Sequence, residues 1–159
     1  MLNNINEMPM GLRFSLLHRA FRQQMDKQLS KHDLTGVQFG VLAQLKRLEE
    51  QGKTDISQRD LENASRVTHP TMTEIIKRLE KKGFINCHPR PGDRRYKIIS
   101  STALAAQLGE DMRKTEQEVM NWLSRDLSSE ELDSFLTILD KLLCTALSCQ
   151  EKGEENELR

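Results

Sequence analysis

Apolar positions recur with helical spacing along most of the chain. Leu12, Leu16 and Ala20, flanked by Leu17, Phe21 and Met25, predict a helix from about Pro9 to Leu29 with a wide apolar stripe. A second helix follows in LTGVQFGVLAQLKRL, where Val37, Val41, Leu42, Leu45 and Leu48 share one face. Thr35 and Gln38 have the spacing of a capping box at its start, and Gly52 stops it. A short helix begins at ISQRDLENA with Ser57 as its N-cap. In RVTHPTMTEIIKRLEKKG, Thr68 is placed to cap and Pro70 is tolerated only in the first turn. Met72, Ile75, Ile76 and Leu79 make the buried stripe there, and Gly83 closes the helix.

The period then changes. FINCHPRPGDRRYKIIS reads as two strand-like runs around a Pro-Gly turn, a hairpin. Thr102 opens a long helix with Leu104, Leu108, Met112, Val119 and Leu123 on one side. The last helix begins at Ser128, boxed by Glu131, and carries Leu132, Phe135, Leu136, Leu139, Leu142, Leu143, Ala146 and Leu147. The residues from Gln150 form a polar tail, expected to fray. The predicted fold is mainly α with a small β-hairpin: a helix-turn-helix followed by a wing, set between outer helices. Those outer helices are too apolar to stand alone. They are expected to pair with each other and with a second copy of the chain.

Composition narrows the class. The 159 residues suit one domain, and no apolar run approaches the roughly 18 residues of a membrane span. The N-terminus lacks a basic start followed by an apolar stretch, so no signal peptide is expected. Three cysteines at wide, unequal spacing argue against a disulfide framework and fit a reducing cytoplasm. The formal net charge of zero hides an asymmetry: residues 77–97 hold eight Lys or Arg and two acids, or +6. From Glu110 onward there are thirteen acids and six Lys or Arg, or −7. A neutral protein with one basic face still binds nucleic acid locally.

The candidate chemistry lies in that basic stretch. On THPTMTEIIKRLEKK the face opposite the apolar stripe carries His69, Pro70, Thr71, Thr73, Glu74, Lys77 and Arg78. A recognition helix reads bases from its N-terminal half and approaches phosphates at its end. Thr71 and Thr73 offer hydroxyls and methyls, and His69 a donor to bases or phosphate. Lys77 and Arg78 suit phosphate, and Arg78 also suits guanine. Glu74 accepts from cytosine N4 or, as the favoured reading, pairs with Arg78 at i+4. Arg90, Arg94 and Arg95 surround the Pro-Gly turn, where a guanidinium is placed to enter the adjacent minor groove. Asp93 is expected to hold Arg95 or Arg94 in position.

Elsewhere, His18 and Arg22 lie four apart on the first helix. They read as a solvent face or a dimer salt bridge, or else as a cationic pair for a carboxylate effector. Cys87, Cys144 and Cys149 read as small hydrophobes in at least two cases, with a peroxide-sensing thiol as the alternative. The four histidines are scattered, and the sequence has no CxxC, HExxH, GxSxG, Walker A or GxGxxG motif. No metal site, cofactor or catalytic set is expected, so the chain does not read as an enzyme. Trp122 reads as core or dimer packing.

At these residues the sequence resembles the MarR family of bacterial winged-helix regulators, over roughly Leu12 to Leu147. The most specific part is RLEKKGFI…PRPGDRRYKIIS, similar to the family's R-L-x-x-x-G-[LF]-[IV], then D-P-x-D-x-R in the wing, then L-T opening a long helix. By that match Asp93 and Arg95 take the paired wing positions, with Arg94 between them. Arg90 stands in place of the first wing Asp, Cys87 and Glu74 where Arg is frequent, Ser101 for Leu and Ala105 for Gly.

The resemblance implies a single domain over residues 9–149, followed by a tail over 150–159. Residues 34–100 would form the winged-helix DNA-binding lobe. Residues 9–33 and 101–149 would form a helical dimerisation lobe. It implies an obligate homodimer reading a palindromic operator in double-stranded DNA, and repression released by a small aromatic or anionic effector. Two rival readings remain at this stage. One is a winged-helix interaction module without specific DNA binding, and the other a thiol-based redox-sensing repressor.

Overall fold

The computed structural model describes residues 5–157, with side chains described for 5–93 and 96–148. A 3₁₀ turn at Ile5–Glu7 precedes α1 (Met10–Ser30), α2 (Gly36–Glu50), α3 (Gln58–Ser65) and α4 (His69–Lys81). The hairpin β1 (Ile85–Arg90) and β2 (Asp93–Ser101) follows, then α5 (Ala103–Leu123) and α6 (Ser129–Glu157). The mainly α, winged helix-turn-helix reading therefore holds. α6 runs on to Glu157, so the polar residues after Gln150 begin as helix.

The ends of these elements have local causes. Thr35 closes its capping box on α2: its hydroxyl accepts from Gln38 N–H, and Gln38 Oε1 accepts from Thr35 N–H. Ser128 and Glu131 do the same at α6. Thr68 takes the N-cap position of α4 but makes no side-chain cap, because its hydroxyl bonds the Thr71 hydroxyl at 3.0 Å. After α4 the chain reverses through Gly83 at φ +77°, a conformation glycine adopts without steric cost.

The chain divides into two compact units, one through Val119 and one from Met120. The core of the first is aliphatic: Leu29, Leu34, Val41, Leu42 and Leu45 from α1, α2 and their connection, Ile56 and Leu61 from the α3 region, and Leu108 and Met112 from α5. Met72, Ile75, Ile76 and Leu79 of α4 and Phe84, Ile85 and Ile99 of the hairpin complete it. Three polar straps lock the hairpin to this core. Ile99 N–H donates to Ile56 O at 2.8 Å. Glu49 accepts from Ser101 N–H and its hydroxyl at 2.8 and 2.6 Å. The Thr102 hydroxyl donates to Gly83 O at 2.8 Å and accepts from Ala105 N–H at the start of α5. At the same end of α4, the Lys82 ammonium reaches the Asp33 carboxylate at 3.0 Å.

Several positions depart from their expected burial. Val37 is 55% exposed and Leu104 43%, each in the first turn of its helix, while Val41 and Leu108 one turn on are buried. Leu12, Leu16 and Leu17 of α1 are exposed, as are Phe135, Leu136, Ile138, Leu142, Leu143 and Leu147 of α6. Trp122 is 50% exposed, so it is not core in this chain, and Cys144 is exposed rather than packed as a small hydrophobe.

Leu79 is fully enclosed at the centre of the α4 stripe. Leu79→Ala is expected to lower unfolding stability by about 2–5 kcal/mol through lost transfer energy and the cavity left behind. Chemical denaturation monitored by circular dichroism checks this. A loss below about 1 kcal/mol would mean that the site collapses around the gap.

Candidate nucleic-acid interface

The interface is built on α4 and the hairpin. α4 places its apolar stripe inward, so His69, Pro70, Thr71, Glu74, Lys77 and Arg78 stand at the surface and Thr73 is half-buried. The sequence-predicted helix residues therefore do come together on one outward face. Their polar groups are less available than a helical wheel suggests. The Thr73 hydroxyl donates to His69 O at 3.0 Å and accepts from Gln58 Nε2 at 2.8 Å. The His69 ring, 75% exposed, puts Nδ1 at 2.7 Å from Glu62 Oε1. Glu74 pairs with Lys77 at 3.2 Å and not with Arg78: on a helix, i+3 and i+4 are both neighbours, and the Lys77 ammonium is the one that reaches.

Gln58 and Glu62 were not among the residues singled out from sequence. They lie four apart on α3, as His69 and Thr73 do on α4, so each pair shares a face. That matched spacing was the available signal. Gln58 Nε2 also donates to Glu62 Oε1 at 2.8 Å. Gln58's hydrogen bond and the contact with His69 hold the Glu62 carboxyl below its ordinary range, against some desolvation. Ser57, Gln58, Arg59, Glu62 and His69 line a shallow hollow of about 380 Å³, closed on the far side by Cys87, Tyr96 and Lys97.

The hairpin reaches outward beside this hollow. Pro91 and Gly92 form its tip, with Gly92 at φ +85°, the conformation a tight turn asks of its second central residue. The register shifts between Pro89 and Arg90: Pro89 pairs with Lys97 but Arg90 with Asp93. A bulge of this kind re-aims the side chains it carries. The side chains of Arg94 and Arg95 lie outside the described residues, and their backbone lies on β2 within the bulge. Asp93 is exposed at the turn. The Arg90 guanidinium is drawn back from the tip: it pairs with Asp55 in the α2–α3 connection and sits 4.7 Å from the centre of the Tyr96 ring.

His18 and Arg22 lie on the exposed face of α1, in a depression with Arg19, Gln23, Asp26, Lys27 and Ser30. Arg22 is 3.8 Å from Asp26, and its Nη2 passes where a Cβ on Gly36 would stand, 2.7 Å away. Its partner is thus an acid on its own helix. Burial, with the charge and hydrogen bond of Glu80, pushes the Cys87 thiol up to about 11, only partly offset by Lys97. A thiol so protonated near neutrality is a poor oxidant sensor. The side chain of Cys149 lies outside those described. Among the described residues no group of three or more His, Cys, Asp or Glu converges to hold a metal. No helix among the described residues is long and apolar enough to cross a membrane.

The sequence model of the MarR family matches residues 34–97, the stretch from the start of α2 through most of β2. Among solved structures, a mutant of S. aureus MepR is similar over 87% of this chain and 99% of its own, at 25% identity and a TM-score of 0.74. S. aureus MepR in complex with DNA matches 84% of this chain and 96% of its own, at 26% identity and a TM-score of 0.67. S. aureus MepR bound to ethidium bromide matches 89% of this chain and 99% of its own, at 26% identity and a TM-score of 0.61.

The start of α3, on which Gln58 stands, has its own electrostatic anchor. Ser57 and Asp60 form a capping box, and Lys53 reaches Asp60 at 2.6 Å. Desolvation raises the Asp60 carboxyl, but hydrogen bonds from Lys53 and Ser57 outweigh it and lower it from 3.8 to about 2. A carboxyl depressed by folding adds stability that is fully present above its unfolded value and fades as pH falls through the folded one. The stability difference between wild type and Asp60→Asn is therefore expected to stay constant above about pH 5 and to shrink from 3.8 towards about 2. Melting temperatures recorded across that range check it, and a difference that grows on acidification would contradict the assignment.

Proposed function

Because the sequence model of the MarR family matches residues 34–97, we propose that this chain is a transcription regulator that binds double-stranded DNA sequence-specifically, as a homodimer on a palindromic operator. The observation that carries the reading is the pairing of α4 with the hairpin. α4 spends its apolar face on the core and turns His69, Pro70, Thr71, Lys77 and Arg78 outward beside a tip that bears Arg94 and Arg95. MepR, similar over most of its length, has been solved on DNA. In this reading the N-terminal half of α4 enters the major groove, Lys77 and Arg78 approach phosphates, and the wing arginines enter the flanking minor groove with Asp93 holding them.

The exposed apolar residues of α1 and α6 support a second copy as the partner, with residues 9–33 and 101–149 forming the dimerisation lobe around winged-helix lobes of residues 34–100. Two linked reading heads on half-sites one helical turn apart make affinity depend on their spacing. A small aromatic or anionic effector that changes that spacing releases the operator, which makes the protein a repressor. That MepR, similar in structure, has been solved with ethidium bromide bound supports a ligand-responsive form. His18 and Arg22 are the residues through which an anionic effector would be held. No cofactor or catalytic step enters this reading, and a cytoplasmic location follows from it.

Selection from a random duplex pool at two salt concentrations tests this. The expected result is an enriched palindrome whose binding falls steeply with salt. Folded dimer that enriches nothing would return the fold to an interaction module. On the selected operator, Arg95→Ala is expected to weaken binding by about 1–3 kcal/mol while the dimer, followed by sedimentation, stays intact. Unchanged affinity would remove the wing from the contact.

A further inference from the structure

The hydrogen bonds between α3 and α4 can be resolved proton by proton. Glu62 is an ionised carboxylate, with Arg59 adding to the positive potential around it, and can only accept. His69 Nδ1 stands 2.7 Å from its Oε1, so Nδ1 carries a proton. Nδ1 therefore cannot accept from Gln58 Nε2, although the two are 3.2 Å apart. The two Gln58 amide protons go instead to Glu62 Oε1 and Thr73 Oγ1, both at 2.8 Å. The Thr73 hydroxyl has one proton, and it goes to His69 O at 3.0 Å. The outcome is fixed at both reading positions. Thr73 has no hydroxyl proton left for a base and keeps its methyl and one lone pair. A neutral His69 is the Nδ1–H tautomer, and its Nε2, without a partner among the described residues, is a bare acceptor.

We propose that Glu62 and Gln58 are specificity-determining positioning residues: Glu62 makes His69 an acceptor toward the base edge, and Gln58 holds the Glu62 carboxylate and takes a lone pair of the Thr73 hydroxyl. This rests on the DNA-reading role of α4 argued above. His69 is the first residue of that helix, where contacts to base edges concentrate. A neutral imidazole that accepts matches a base edge that donates into the major groove, adenine N6 or cytosine N4, and mismatches guanine, whose O6 and N7 both accept. Neither Glu62 nor Gln58 need touch DNA. Glu62 acts by choosing which ring nitrogen holds the proton, as the second partner of a histidine generally does, and Gln58 acts through the carboxylate it donates to.

Two measurements test this. Long-range proton–nitrogen NMR on the free wild-type protein, at a pH where the spectrum shows the His69 ring neutral, is expected to report the Nδ1–H tautomer. In Glu62→Gln the carboxylate that demands that proton is gone, and the population is expected to move toward Nε2–H. An Nε2–H tautomer in the wild type overturns the proposal with no variant and no DNA involved. At the same pH, duplex selection with wild type is expected to favour adenine or cytosine at one position per half-site, by about tenfold over guanine. Glu62→Gln and His69→Ala are expected to lose that preference and keep the rest of the motif. An unaltered motif in either variant overturns the proposal. A wild-type protein that shows the Nδ1–H tautomer yet selects no motif overturns the DNA-reading role itself, and this role with it, by a result distinct from the others.

Discussion

The burial of Met72, Ile75, Ile76 and Leu79 is the constraint on which the rest of the winged helix depends. The four residues, spaced at three, one and three, occupy one stripe of α4 and are all enclosed. At about 25 cal/mol per Å² of apolar surface, such a stripe is worth several kcal/mol. Rotating the helix by one position would expose half of it. The rotational setting of α4 is therefore decided by apolar packing, and the polar residues on the opposite face inherit their direction from it. α3 and the hairpin pack around the same stripe, and Phe84, Ile85 and Ile99 extend it into the wing. α4 and the wing thus share one core, and an error in either would disturb both.

Within that frame the outward face is less free than its composition suggests. Thr73 and His69 answer to α3, Glu74 to Lys77, Arg90 to Asp55 and Tyr96. Each tie removes some donors and acceptors from the inventory a ligand can use. Each also holds a side chain in one place, which reduces the rotamer entropy lost when a ligand arrives. The balance differs by residue. For Thr73 the tie takes a hydroxyl lone pair, while the hydroxyl proton goes to His69 O on its own helix. For His69 it occupies one nitrogen and leaves the other pointing away. For Arg90 it draws the charge back from the hairpin tip, so that the tip depends on residues 94 and 95.

Local signals carried much of this into the sequence. The Thr35–Gln38 and Ser128–Glu131 boxes need only residues three apart, and both form. The α4 stripe and the Pro-Gly hairpin were legible for the same reason. What the pattern misplaced lay at element ends or depended on tertiary neighbours. Val37 and Leu104 keep the phase of their stripes but fall in first turns and stay exposed. Thr68 prefers Thr71 to the backbone because a second hydroxyl stands within reach. The Gln58–Glu62 support is only hinted at by matched i,i+4 spacing, because it joins two helices whose relative rotation no single-helix periodicity specifies. Apolar spacing on α6 was read correctly, yet Leu142, Leu143 and Leu147 are exposed: periodicity states that a face wants cover, not what covers it.

The basic character of residues 77–97 needs the same discrimination. Lys77, Lys82 and Arg90 are each paired with an acid, so the segment's +6 is not a count of charges waiting for phosphate. The Lys77–Glu74 pair is well exposed, and such pairs are worth about 0–1 kcal/mol. A contact that weak is exchanged readily when a phosphate replaces the carboxylate, because counterion release then favours the new partner. The buried stripe and the α3–α4 hydrogen bonds are of another kind, since breaking them exposes apolar surface or leaves polar groups unpaired. The candidate interface thus combines an edge tied by α3–α4 hydrogen bonds with a loosely paired cationic rim. On the DNA-binding reading proposed above, charge on the rim would draw the protein to a polyanion, and the tied edge would decide where along it the protein stops.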